Sequence, residues 1–266
     1  MNRARSGRTA RRVLGLTGLL AMLAGCGSAG SDASSPTVGE AVSTTSSTVA
    51  VQPTEPPGPA LSGPTPCLGA DESRPRTITF ETPPGLCALD TTTTYDAVVE
   101  TNLGSFTIRL DPAVAPQAVN NFIGLARYHY YDGVSCHRVI TDFVVQCGDP
   151  SGTGRGVDQQ GTVSPGYRFP DELPASIDQY IQYSVAMANA GANTNGSQFF
   201  IATSTSTAQQ LGRPLYTLFG QVVAGESVID RLNGLGSRSS EGNPTEPIQM
   251  ISVTVCVTGT KCAGGS

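Results

Sequence analysis

Residues 188–200 read ANAGANTNGSQFF, and none of these thirteen residues changes charge near neutral pH. Asn, Gln, Thr and Ser supply hydrogen-bond donors and acceptors, glycine supplies backbone freedom, and two phenylalanines supply apolar surface. Catalysis that breaks bonds needs acids, bases, nucleophiles or metal ligands. A site built on this stretch would therefore hold and steer rather than cleave; the plain alternative is a polar loop running into a buried strand. Other groups able to do chemistry are few. The chain has two histidines, His129 and His137, and seven cysteines, with no CxxC pair, so the ligand spacing of a zinc site is missing and no metal or cofactor is expected. Arg138, in CHRVI, is a permanent cation beside strand-like residues. Read alone it could equally be a surface ion-pair arginine.

Short strands are needed to position these residues. AVVET (97–101) and SFTIRL (105–110) flank Asn102-Leu103-Gly104, a hairpin signal. HRVI (137–140) and FVVQCG (143–148) form a second hairpin turning near Thr141-Asp142, and YSVAMAN, SQFFIAT, LFGQVV and IQMISVTVCV continue the series. In DPAVAPQAVNNFIGLARY, Val119, Phe122, Ile123 and Ala126 recur at helical spacing, with Asp111 available as a cap and Pro116 early. ESVIDRLN (226–233) offers a second helix. Many short strands with two helices predict a mainly β fold, a closed barrel capped by two α-helices, with TITFE (77–81) as an added strand outside it.

The ends of the chain differ from this middle. Residues 1–12 carry five arginines and no acid, and the apolar run 13–25 is too short to span a bilayer but suits a secretory signal. It ends on Leu23-Ala24-Gly25-Cys26, which resembles the lipobox of bacterial lipoprotein signals and implies lipidation at Cys26; an ordinary signal peptide with a chance cysteine is the alternative. Taking those five charges from the chain's formal −5 leaves −10, so nucleic-acid binding is not expected. Residues 26–66 are Ser, Thr, Pro, Gly and Ala with scarcely a bulky side chain, the composition of a disordered tether. The expected plan is a signal peptide over 1–25, a tether over 26–66, an extension over 67–94, a folded domain over 95–258 and a tail over 259–266. Such a protein would be exported and lipid-anchored to the cell membrane, facing outside the cytoplasm, as a monomer.

CHRVITDFVVQCGD (136–149), SGTGRG (151–156), MANAGANTNGSQFFIAT (187–203) and TLFGQVVAGESVID (217–230) together resemble the motifs of the cyclophilins, from about Tyr95 to Val257. The resemblance implies an eight-stranded barrel and peptidyl-prolyl cis–trans isomerase activity on proline-containing polypeptides. It also makes sense of the uncharged stretch. Turning an X–Pro bond breaks nothing, and its barrier, on the order of 20 kcal/mol, comes from amide resonance. A catalyst need only grip the proline ring and favour the twisted amide.

Carried over by motif, the family's active-site arginine falls on Arg138, and Phe143 and Gln146 join it in catalysis. Phe143, Val144, Phe200 and Leu211 match the proline pocket, where methionine is commoner at Val144. Gln146 and Gln198 match glutamines that orient the arginine and meet the peptide carbonyl. Ala188, Asn189 and Ala190 match the rim, Gly152 borders a neighbouring sub-pocket, and Tyr216 stands where many members have a histidine. The tryptophan that contacts cyclosporin in sensitive members falls on Gln210. His137 should point to the opposite face of its strand as a satisfied structural histidine. A non-catalytic barrel that holds proline-containing segments is the other reading of these residues.

Six cysteines follow Cys26, an even number that suggests disulfides in an exported protein. In the 137–148 hairpin Cys136 and Cys147 lie almost opposite each other, within about 5.5 Å at Cα. A bond there would clamp the strand of Arg138 to the strand of Gln146; two buried free thiols are the alternative. Cys67–Cys87 and Cys256–Cys262 pair by proximity in sequence alone.

Overall fold

In the computed structural model, residues 55–262 are described except 67, 70–73, 86–89, 157–163 and 240. The expected lipidation at Cys26, the signal peptide, most of the tether and the pairing of Cys67 with Cys87 lie outside them. The eight strands fall on the strand-like runs of the sequence: β1 Tyr95–Thr101, β2 Gly104–Leu110, β3 Arg138–Ile140, β4 Val144–Cys147, β5 Ser184–Met187, β6 Phe199–Ala202, β7 Leu218–Ala224 and β8 Met250–Val257. All pairings are antiparallel, in the order β3-β4-β6-β5-β7-β2-β1-β8.

The expected closed barrel is corrected. The sheet is a strongly curled half-barrel with β3 and β8 as its edges. The reason lies in what occupies those edges. Val139 N–H donates to the Gly242 carbonyl (2.6 Å) and Thr141 N–H to the Ser237 carbonyl (3.1 Å), so Ser237 and Gly242 take the free side of β3. From the β3 side the turn before the strand reaches the start of β8, through Gly133 N–H to Met250 (2.7 Å), Met250 N–H to Val134 (2.9 Å), Cys136 N–H to Ile248 (3.0 Å) and a single bridge between Ser135 and Gln249. Those bonds pair a turn with a strand end and carry no continuous ladder.

The concave face of the sheet holds the core. The row Val139–Val145–Ile201–Val185 runs across four strands with every member buried. Helix α1 (Pro116–Arg127) lays Val119, Phe122, Ile123 and Ala126 on it as their spacing required. Phe122 stacks with Tyr131 at 5.0 Å and meets Phe199 edge-on at 5.5 Å. Its cap differs from expectation. Asp111 serves a local turn, accepting from Ala113 N–H (3.0 Å), while the first-turn N–H groups of Gln117 and Ala118 donate to the Glu172 carboxylate at 3.0 and 2.9 Å. An acid far along the chain thus meets the positive end of the helix. Helix α3 (Glu226–Gly234) buries Val228, Ile229 and Leu232.

A third helix, α2 (Thr207–Leu211), was not foreseen. It occupies the long 203–216 segment and ends on Gly212 at φ 75°, the left-handed closing residue. The N-terminal arm is also more ordered than a tether. Residues 55–66 lie beside 75–85, with parallel bridges at Leu61–Phe80 and Thr65–Pro84. TITFE therefore contributes one bridge at Phe80, not a strand. Phe80 is 1% exposed against Tyr128, Tyr130 and Tyr167, and the Arg127 guanidinium donates to the Leu68 carbonyl at 2.6 Å.

Candidate active site

The convex face of the same four strands carries a second row. Arg138 pairs with Gln146, Gln146 with Phe200, and Phe200 with Ala186, so four residues far apart in sequence stand side by side across β3, β4, β6 and β5. Strand period 2 puts them all on the face opposite the core row.

At the polar end of the row the side chains form a relay. Arg138 Nη1 donates to Gln146 Oε1 at 3.2 Å, Gln146 Nε2 donates to Gln198 Oε1 at 2.8 Å, and Gln198 Nε2 donates to the Gly154 carbonyl at 3.3 Å. Each amide thus has its orientation set by the next, and the last is held by main chain. The Cys136–Cys147 disulfide, with Cα atoms 3.9 Å apart, ties together the chain on either side of this pair. Continuing the β3–β4 register would set Cys147 opposite His137, so the bond runs one residue off the expected pairing. Cys256 and Cys262 are bonded as well.

At the apolar end, Val144, Ala186, Phe200 and Tyr180 are buried, and Phe143, Ala188, Leu211, Tyr216 and Leu218 pack around them. All of the side chains expected in a proline pocket meet here. Tyr216 stands edge-on to Phe200, with ring centroids 5.2 Å apart. On the rim, Ala188 N–H donates to the Gln198 carbonyl (2.9 Å) and Ala190 N–H to Thr194 Oγ1 (2.8 Å). Asn189 Nδ2 reaches the Leu215 carbonyl at 2.8 Å. Among the described residues nothing engages the main-chain N–H or carbonyl of Asn189, so both can meet an extended chain laid across the rim.

An apolar cluster beside a cation held by one amide, which a second amide holds in turn, can take a prolyl ring and donate to its nitrogen. Comparison with known proteins agrees. The family model of the cyclophilin type peptidyl-prolyl cis-trans isomerases matches residues 97–255. The peptidyl-prolyl cis-trans isomerase ppi1 of Schizosaccharomyces pombe is 46% identical over 58% of this chain and 94% of its own length. The peptidyl-prolyl cis-trans isomerase-like 1 of Aspergillus fumigatus is 42% identical over 62% of this chain and 97% of its own. A crystal structure of a cyclophilin type isomerase from Cryptosporidium parvum superposes with a TM-score of 0.52 at 29% identity, covering 63% of this chain and 99% of that one. The chain belongs to the cyclophilin family. It is a cyclophilin-type peptidyl-prolyl cis–trans isomerase.

Within this cyclophilin, Gly152 does not border the neighbouring pocket. It sits on an exposed turn at φ 66°, and Gly154 and Gly156 line the pocket instead. The turn is held from behind by buried Asp149, which accepts from Ser151 N–H (3.0 Å), Ser151 Oγ (2.8 Å) and Gly154 N–H (2.7 Å). The expectation for His137 is corrected in one respect. It is structural, but among the described residues its two buried ring nitrogens form no well-aligned hydrogen bond. Its ring lies against Gly154, where an added Cβ would come within 2.8 Å of His137 Cδ2. Burial lowers its pKa, partly offset by Asp149, and so keeps the ring neutral.

Tyr180 is the site residue that sequence reasoning missed. Its hydroxyl donates to the Tyr216 carbonyl and accepts from Tyr216 N–H at 3.2 Å, fixing the backbone of a cup residue. Burial pushes its hydroxyl up to about 12, so it remains a donor at neutral pH. No sequence motif marks it. Helix α2 did carry a signal, a Ser/Thr-rich start followed by Ala-Gln-Gln-Leu and a closing glycine. It brings Ala208 and Leu211 to the cup and exposes Gln210, whose Nε2 donates to the Asp142 carbonyl at 2.8 Å. Among the described residues no group of three or more His, Cys, Asp or Glu is placed to hold a metal.

Proposed function

We propose that the enzyme turns X–Pro bonds of exported or cell-envelope polypeptides by stabilising the twisted amide. The arrangement of Arg138, Gln146 and Gln198 beside the cup is the observation that carries this reading. The proline ring sits among Phe143, Val144, Phe200 and Leu211, with Tyr216 as an aromatic wall. The chain runs over Ala188, Asn189 and Ala190. As the C–N bond twists, resonance is lost and the prolyl nitrogen regains its lone pair. The Arg138 guanidinium donates to that lone pair, an interaction the planar ground states lack, and so lowers the barrier. Gln146 holds the guanidinium in place and, with Gln198, meets the preceding carbonyl.

Export and anchoring rest on residues 1–26 and on cysteine use. The lipobox-like Leu23-Ala24-Gly25-Cys26 supports lipidation at Cys26, and two disulfides suit an oxidising compartment. The anchored enzyme acts as a monomer on proline-containing chains outside the cytoplasm. A proline-isomerisation assay on the whole protein beside Arg138→Ala tests the mechanism. A folded variant that keeps nearly the full rate would leave a binding module as the better reading of these residues. Mass analysis of the purified protein from its membrane fraction tests acylation at Cys26.

A further inference from the structure

The row of site residues opens at its polar end into a cavity of about 80 Å³. Gln146, Gln198 and Asn189, which belong also to the site, line it together with Arg155, Arg168 and Thr194. A polypeptide bound with its proline in the cup must therefore set a neighbouring side chain over or into this cavity. Among the described residues no carboxylate lines it, although the chain as a whole carries a formal charge of −5.

The neutral side-chain donors of the lining are partly engaged. Gln146 Nε2 donates to Gln198, Gln198 Nε2 to the Gly154 carbonyl, and Thr194 Oγ1 to the Gly191 carbonyl at 2.7 Å. The guanidiniums are the charged donors of the lining. Arg168 uses Nη1 on the Thr194 carbonyl at 2.9 Å, one of the five N–H groups such a side chain carries. Both arginines are exposed, and neither forms an ion pair among the described residues.

We propose that Arg155 and Arg168 make this isomerase selective for substrates with an acidic side chain near the proline, which the cavity takes. Resting on the prolyl-isomerase reading of the site, the inference adds the charge of the preferred client. A carboxylate meets two planar cations that can pair with both of its oxygens, whereas a lysine there meets like charge.

The test uses the whole protein and peptides differing at one residue: Glu, Gln or Lys at each of the two positions before and after the proline. At one of these positions kcat/KM for Glu should exceed that for Gln by about threefold to tenfold, the scale of two solvent-exposed ion pairs, with Lys below Gln. The preference should shrink as salt is raised from about 0.05 to 0.5 M, where screening shortens to a few ångströms. In Arg155→Ala/Arg168→Ala the Glu-to-Gln ratio should approach one. Arg155→Ala alone should lower the ratio, which keeps the test alive if removing the Arg168 bond to Thr194 unfolds the loop. A ratio within about twofold at every position, or one that survives in the variants, overturns the proposal. Turnover of none of the peptides would instead break the reading of the site. Calorimetric affinities of the same peptides would still decide the charge preference, since equal affinity for Glu and Lys overturns it.

Discussion

The two ends of the site row are built on different principles. The apolar cup is a contact surface: Val144, Ala186 and Phe200 pack as core residues do, and Phe143, Leu211 and Tyr216 close around them. The relay of Arg138, Gln146 and Gln198 depends on three specific hydrogen bonds across β3, β4 and the start of β6. A packed surface degrades gradually when a side chain is trimmed. A directional relay loses its function when one bond is aimed wrongly. Affinity for proline and stability should therefore follow the cup, while turnover follows the relay.

The sharpest way to break that contrast is Arg138→Ala. It should lower kcat by about two to three powers of ten, near 3–4 kcal/mol of transition-state stabilisation, while the thermal midpoint stays close to wild type. Steady-state kinetics beside a melting curve would show the split. Phe200→Ala should do the reverse in kind. With 5% of its surface exposed, its loss should cost about 3 kcal/mol of stability and raise KM, both readable from denaturant titration and kinetics.

Replacing the disulfide tests whether the relay needs its clamp. Cys136→Ala/Cys147→Ala opens a loop of sequence separation 11 and should cost about 2–3 kcal/mol, with a larger fall in kcat than in substrate affinity. Equal loss of both would show that the clamp serves the fold rather than the relay.

Acidity offers a gentler probe. His137 has a folded pKa below its ordinary 6.5, so the unfolded chain binds the extra proton first as pH falls. Its contribution to stability is complete above about pH 6.5 and is lost as pH falls from there through the lowered folded value. Melting temperature should decline over that range, and His137→Gln should flatten the decline. Activity between about pH 6 and 8 should be level, because neither the cup nor the relay holds a group with a reference pKa there. Cyclosporin should inhibit weakly, since exposed Gln210 lacks the apolar area and N–H of an indole; titration of activity with the drug checks this.

What could be read from residues alone were the local facts. Strand-like runs and hairpin signals located all eight strands, helical spacing located α1, the run ESVIDRLN located α3, and motif identity placed Arg138, Gln146 and Phe200. These depend on neighbours within a few positions, and period 2 or 3.6 is written directly into the chain. Tertiary structure alone decided the rest. It set the register that lines Arg138, Gln146, Phe200 and Ala186 into one row. Glu172 rather than Asp111 received the end of α1, and Gly154 rather than Gly152 received the pocket edge. Tyr180 came to brace Tyr216, and Ser237 and Gly242 left the barrel open by taking the edge of β3. Each is a choice among partners distant in sequence, settled by which buried polar groups find one another once the core has closed, and no local pattern records that choice.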